Sequence, residues 1–213
     1  MSVLVRPARR EDCRVLAYHA YLAGKSHLAT SGYDYMFPGI GGPTDQRLTL
    51  MENLLQTKVV SWMHYTFCSV AETDGQAGAS LCHYHNREGA HERIGPALME
   101  LGWDKEELLS MVSRVQPLLD VEFDPVGDVM VIENVAVSPR FRRRGMVNAL
   151  MEDAIDVARD QGFEALQLAI FIGNTAAQKA YEKAGFKVVD EKRDPVFKEL
   201  MGSEGMLLMK LEL

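Results

Sequence analysis

The stretch from Val131 to Phe186 limits the possible folds more than any other part of the chain. It opens Val131-Ile-Glu-Asn-Val-Ala-Val137, continues through Ser138-Pro139 and Arg140-Phe-Arg-Arg-Arg-Gly145, and runs on as an amphipathic segment from Met146 to Asp160. The first part suits a strand. Pro139 has no N–H to give to a ladder and ends it. Gly145 lets the backbone turn and lets a ligand come close. The first amides of the helix that follows have no partners within the helix, and its dipole favours an anion there. Four arginines within positions 140–144 add positive charge to a chain of net charge −7. A strand, a sharp turn, a glycine and a helix in this order make a cradle for phosphates, a pyrophosphate in particular. The competing reading of the arginines is a solvated basic surface, and the strand–turn–glycine–helix context argues against it. Neither a Gly-x4-Gly-Lys-Ser/Thr loop nor a Gly-x-Gly-x-x-Gly turn after a strand is present, and Gly39-Ile-Gly41-Gly42 reads as a simple turn.

With 213 residues, 47% of them hydrophobic, the chain can bury a sizeable core as one domain over 1–213. Its 30 acidic against 23 basic residues repel polyanions and favour a neutral or cationic partner, with no nucleic acid. No apolar run approaches the ~18 residues of a membrane span, and residues 1–10 carry no signal-peptide core, so no membrane is expected and the expected location is cytoplasmic. Three cysteines without metal spacing (Cys13, Cys68, Cys82) read as buried reduced thiols. His83 and His85 share a strand face but lack a third ligand, so no metal is expected. His19, His27, His64 and His91 carry no signal.

Periodicity and turn chemistry give the element order. A strand over 2–6 is followed by helices over 9–30 and 44–57, the second with Leu48, Met51, Leu54 and Leu55 on one stripe. Strands over 65–72 and 76–84 flank Asp74-Gly75, a hairpin turn because Asp-Gly supplies the positive φ such turns require. Residues 85–127 break the rhythm with two helices, about 94–101 and 105–116, and form an insertion between strands 3 and 4. A strand over 129–137, a helix over 146–161, a strand over 166–172, a helix over 175–184 and strands over 186–190 and 206–213 complete a mixed α/β (α+β) architecture, a central sheet of about seven strands flanked by helices.

At these residues the chain resembles the GNAT superfamily of acyl-CoA-dependent N-acetyltransferases. That family's pyrophosphate loop, Arg/Gln-x-x-Gly-x-Gly/Ala, matches Arg142-Arg-Arg-Gly145-Met-Val147 between Val137-Ser-Pro139 and Asn148-Ala-Leu-Met151. Val147 departs from the small residue usual there. The segment from Asn174 to Tyr181 and on to Gly185-Phe186 resembles the family's Asn-x6-Tyr-x3-Gly-Phe run. The likeness covers about 128–190, extends more loosely to 1–8 and 65–84, and is absent over 85–127. It implies a GNAT-like, mostly antiparallel sheet and acetyl-CoA as co-substrate. It further implies pyrophosphate binding by Arg142, Arg143, Arg144, Gly145, Met146 and Val147, and pantetheine contacts from the backbone of Val135 and Val137 and from Asn174. A homodimer is implied by resemblance only.

Two side chains are candidates for proton transfer. Strand alternation puts Val131, Glu133, Val135 and Val137 on one face. A carboxylate in that apolar row is costly without a partner or a task, and burial raises its pKa toward that of a useful base. Glu133-Asn134-x-x-Val137 also resembles the Glu-Asp-x-x-Val of polyamine-type members; a salt-bridging role and a water chain as base remain open. Tyr181 lies among alanines at helical spacing, and resemblance puts it beside the CoA sulfur as the acid; a core tyrosine is the other reading. Asn174 also suits a plain N-cap. The expected activity is acetyl transfer from acetyl-CoA to a primary amine of a small molecule or peptide by direct attack. The acceptor site is expected among the first helices, the 33–38 loop and the 85–127 insertion. The alternative is a non-catalytic acyl-CoA sensor or assembly module.

Overall fold

The structure is a computed structural model and describes residues 2–37, 44–85 and 91–213, with the backbone alone for 44 and 45. The Gly39–Gly42 segment lies outside the described residues. Seven strands form one sheet: β1 (Leu4–Pro7), β2 (Cys68–Thr73), β3 (Gln76–His85), β4 (Val129–Val137), β5 (Ala165–Phe171), β6 (Lys187–Arg193) and β7 (Gly205–Glu212). Their spatial order is β1-β2-β3-β4-β5-β7-β6, and β4–β5 is the one parallel pair among them. Asp74 and Gly75 both take the left-handed conformation (φ 53 and 71°), as the β2–β3 turn requires.

The two faces of the sheet carry separate cores. On one, α6 (Met146–Asp160) buries Met146, Leu150, Ala154 and Ala158, four residues apart, against Leu81, Met130, Ile132 and Leu168. Burial of a side chain the size of Leu150 contributes about 2 kcal/mol. On the other, α1 (Cys13–Lys25) and α3 (Thr44–Leu54) place Leu16, Ala20, Met51 and Leu54 over Val70, Tyr84 and Val131. The inserted helices are α4 (Ile94–Glu100) and α5 (Lys105–Leu119), the latter opened by an Asp104–Glu107 capping box. α7 (Thr175–Lys183) follows β5.

Several expectations are corrected. The first helix is shorter than 9–30 because Ser26, at φ 53°, turns the chain away. Two short helices were not anticipated. α2 (Gly32–Met36) is capped by Ser31 and Asp34, and α8 (Pro195–Met201) is capped by Asp194, which accepts from Phe197 N at 2.8 Å. Cys68 and Cys82 are not reduced thiols. They sit directly opposite one another on β2 and β3 and form a disulfide, while Cys13 is buried and free. That pairing depends on the register of the hairpin, which a separation of 14 residues does not reveal. Among the described residues no helix is long and apolar enough to cross a membrane.

Candidate functional site

The arginine loop is held by the sheet beneath it. Ser138 N donates to Gly78 O at 2.9 Å, and a Cβ on Gly78 would come within 2.7 Å of Phe141 and 2.8 Å of the Met146 sulfur, so only glycine lets β3 pass this closely under the loop. Phe141 is buried, with the guanidinium groups of Arg140 and Arg144 over its ring at 4.6 and 5.3 Å. Arg143 and Gly145 both adopt positive φ (61 and 77°), which curls the backbone around the start of α6. A pocket of about 260 Å³ opens there, lined by Val137, Phe141, Arg143, Arg144, Gly145, Met146, Val147 and Asn148. Arg142 is exposed and outside that lining. Asn148 belongs to it, although only its place in the first helical turn could have pointed to it.

From this pocket a wedge runs into the sheet. β4 and β5 pair only from Val129↔Ala165 to Val131↔Gln167. Beyond that point β5 stays with β7 as far as Phe171↔Met206, and β4 stays with β3 as far as Val137↔Ala79. Among the described residues no strand faces the β5 side of β4 over 132–137, so peptide groups that a ladder would otherwise occupy are presented to the gap.

The bulge in β4 changes which side chains share a face. Cys82 pairs with Glu133 but Ser80 pairs with Ala136, so β4 carries one extra residue there, with Asn134 at φ 53°. Alternation predicted Glu133, Val135 and Val137 on one face with Val131. Val131 does pack in the α1 core, but Val135 and Val137 pack in the α6 core, because the extra residue rotates the strand after Glu133. Glu133 therefore keeps Val131 as a neighbour on the α1–α3 side but is parted from Val135 and Val137, which were expected beside it.

Side chains from distant segments surround Glu133. The Tyr84 hydroxyl donates to Glu133 Oε1 at 2.8 Å, and His91 Nε2 lies 3.7 Å from the same oxygen. The buried Tyr33 hydroxyl donates to Asn134 Oδ1 at 3.0 Å. Crowding by this apolar and aromatic wall pushes the Glu133 carboxyl up to about 7, against the opposing pull of the Tyr84 hydrogen bond. Yet 30% of its side chain stays accessible to solvent. Glu122, between α5 and β4, is exposed at the surface, and partial burial together with the charge of Glu133 pushes its carboxyl up. Tyr33, Tyr84, His91 and Glu122 were not singled out from sequence. Tyr84 could have been, since it is the diagonal neighbour of Glu133 across the β3–β4 ladder.

The remaining candidates lie across the wedge. Tyr181 is buried against Phe186, ring centroids 6.1 Å apart, and its hydroxyl has no protein partner among the described residues. Burial holds its pKa well above the ordinary range, so it stays protonated. Asn174 caps α7, accepting from Ala177 N at 3.2 Å, and its amide donates to Ser26 Oγ at 2.7 Å, tying α7 to the end of α1. His83 and His85 do not converge; they bond Ser69 (3.4 Å) and Asp128 (2.7 Å). His19, with no signal in the sequence, lies fully buried between Ser80 Oγ (2.9 Å) and Ser138 Oγ (2.8 Å), beneath the junction of bulge and loop.

A model of the acetyltransferase (GNAT) family matches residues 61–186. The [ribosomal protein bS18]-alanine N-acetyltransferase of Salmonella typhimurium strain LT2 is 34% identical over 86 residues, 40% of this chain and 57% of that enzyme. The enzyme of the same description from Escherichia coli strain K12 is 33% identical with the same coverage. The chain thus matches little more than half the length of these curated relatives. Among solved structures, one described as an acetyltransferase superimposes with a TM-score of 0.69 at 20% identity over 98% of both chains. An N-acetyltransferase from Staphylococcus aureus Mu50 superimposes with a TM-score of 0.67 at 18% identity, over 98% of this chain and all of that one. At such identities the likeness establishes a shared fold.

Proposed function

The chain belongs to the GNAT acetyltransferase family, and from that premise we propose that it moves an acetyl group from acetyl-CoA to a primary amine by direct attack, as one domain over 1–213. The observation that carries this reading is the continuity of the loop pocket with the β4–β5 wedge: an anion cradle opens into a slot lined by backbone. Amides of Gly145, Met146 and Val147, with Arg143 and Arg144, suit a diphosphate. Val147 contributes through its N–H, so its side chain is no obstacle to that bond. Arg142 supplies charge from outside the pocket. Peptide groups of β4 near Val135 and Val137 suit an extended pantetheine amide chain, and one directed at the thioester oxygen would stabilise the charge that develops there. Asn174 remains a candidate at the far wall, its amide already committed to the cap and to Ser26.

Glu133 is the base. A carboxyl near 7 is half ionised at neutral pH and can take the proton of an incoming ammonium. Tyr181 is the acid, kept protonated by burial and able to give its proton to the departing thiolate. The acceptor enters on the α1–α3 side, past Tyr33, Tyr84 and Glu122, where carboxylates favour a cationic amine. The curated relatives are described as acting on an alanine of a ribosomal protein, so the acceptor panel includes peptide α-amines beside polyamines, amino acids and aminoglycosides. Release of free thiol on any member, lost in Glu133→Gln, supports the enzyme. Tight coenzyme A binding without turnover on any amine supports a non-catalytic sensor and overturns the reading.

A further inference from the structure

Hydrogen bonds at Glu133 run in one direction, and counting hydrogens fixes that direction. An ionised carboxylate only accepts. Tyr84 has a single hydroxyl hydrogen, and its oxygen lies 2.8 Å from Glu133 Oε1, so that hydrogen goes to the carboxylate. The Tyr84 oxygen is then an acceptor toward its other neighbour, His91 Nε2, which is hydrogen-bonded to it. His91 must therefore carry its hydrogen on Nε2. Its ring is held by a stack on Trp62, 5.5 Å between centroids and 17° between planes. The end of β3 and the residue seven positions after Tyr84 thus meet distant β4 in the series His91→Tyr84→Glu133.

We propose that Tyr84 and His91 are positioning residues for the reaction, which aim the Glu133 carboxylate at the acceptor amine and keep it ionised by donating to it in series. The inference rests on Glu133 being the base. Neither residue needs to touch substrate; each acts through Glu133. The chain opposes the apolar wall around Glu133, which favours the neutral acid. Glu122, whose own carboxyl is pushed up by burial and by the charge of Glu133, faces Glu133, His91, Tyr84 and Tyr33 from the segment between α5 and β4. Lys192 of β6, bonded to the Glu122 carbonyl, is the nearby cation on the far side. A hydrogen bond to an ionised group strengthens when its own donor is polarised by a further donor, so His91 contributes although 52% of its side chain is open to solvent.

The test is the pH dependence of kcat/KM for an accepted amine in Tyr84→Phe, His91→Leu and His91→Gln, with KM for acetyl-CoA measured alongside. Tyr84→Phe should move the acid limb up by about one pH unit, the equivalent of one charge-assisted hydrogen bond. His91→Leu should move it in the same direction by less. His91→Gln, which can still donate an N–H, should return it toward the wild-type position. KM for acetyl-CoA should stay constant throughout, which a merely structural defect would not ensure. An acid limb unmoved in Tyr84→Phe overturns the proposal; should that variant fail to fold, equal limbs in His91→Leu and His91→Gln overturn it. Glu133→Gln separates the two readings. If it is inactive while the other profiles stay put, only the positioning chain fails. If it keeps wild-type activity, Glu133 is no base and both readings fall.

Discussion

The two halves of the site are built differently. On the proposed donor side, a contiguous run from Val131 to Asn148 supplies strand, turn, arginines and helix start, and backbone amides are the binding groups we propose. On the acceptor side, Tyr33, Tyr84, His91, Glu122 and Glu133 come from α2, β3, the insertion and β4, and only side chains matter. A site made of backbone is written locally, because glycine, proline and a helix start are local signals. A site made of converging side chains depends on register and on loops packed from afar.

The widest gap between the halves should appear in Glu133→Gln. Turnover should fall by about a thousandfold, in the range of lost general-base catalysis, with acetyl-CoA affinity unchanged in calorimetry. The same variant should be more stable at pH 8. The Glu133 carboxyl is raised from 4.5 to about 7 in the fold, so the stability tied to its neutral form is complete below 4.5 and is lost as pH rises through 7. Removing the charge should recover on the order of 2 kcal/mol, read as a Tm that falls less than the wild type's as pH rises across that window. A variant both inactive and less stable at pH 8 would blur the distinction between catalytic and structural roles.

The complementary break is Gly145→Glu. A non-glycine residue at φ 77° with a negative charge in the anion cradle should weaken coenzyme A binding by about a hundredfold or more, near 3 kcal/mol, and cost the fold only about 1–2 kcal/mol. Undiminished affinity would move the donor site elsewhere. Tyr181→Phe should lower kcat by about tenfold in a thiol-release assay, leaving KM for both substrates in place.

How much the sequence disclosed follows the same division. Seven strands, the hairpin at Asp74-Gly75, the inserted helices and the loop before α6 were legible because each rests on turn chemistry or periodicity. α8 was missed although Asp194-Pro195 is a cap followed by proline, a signal available in the chain. The bulge at Asn134 was not legible: an extra residue looks like ordinary alternation until the partner strand is laid beside it, and it alone sends Val135 and Val137 to the face opposite Val131. His91 and Glu122 were hidden because the insertion has no family pattern to align. The Cys68–Cys82 pairing was hidden for the reason Tyr84 was, since both need the β-ladder register.

An effect on stability alone, without loss of activity, is expected at the seam between the halves, at His19. Burial holds its pKa down at about 4, against 6.5 when unfolded, and both ring nitrogens are bonded to serines. The stability it contributes is complete above pH 6.5 and is lost as pH falls through 4, to a total of about 3 kcal/mol. Thermal melts of the wild type between pH 7 and 4 should fall accordingly, and His19→Gln should flatten that slope. An equal slope in both proteins would remove His19 from the account.

A crystal structure with coenzyme A bound would test most directly whether a backbone-built cradle and wedge hold the donor. The account predicts diphosphate oxygens at hydrogen-bond distance from the amides of Gly145, Met146 and Val147, and the pantetheine arm along β4 between residues 132 and 137. A coenzyme bound elsewhere, or held at the loop by arginine side chains with those amides unengaged, would contradict it.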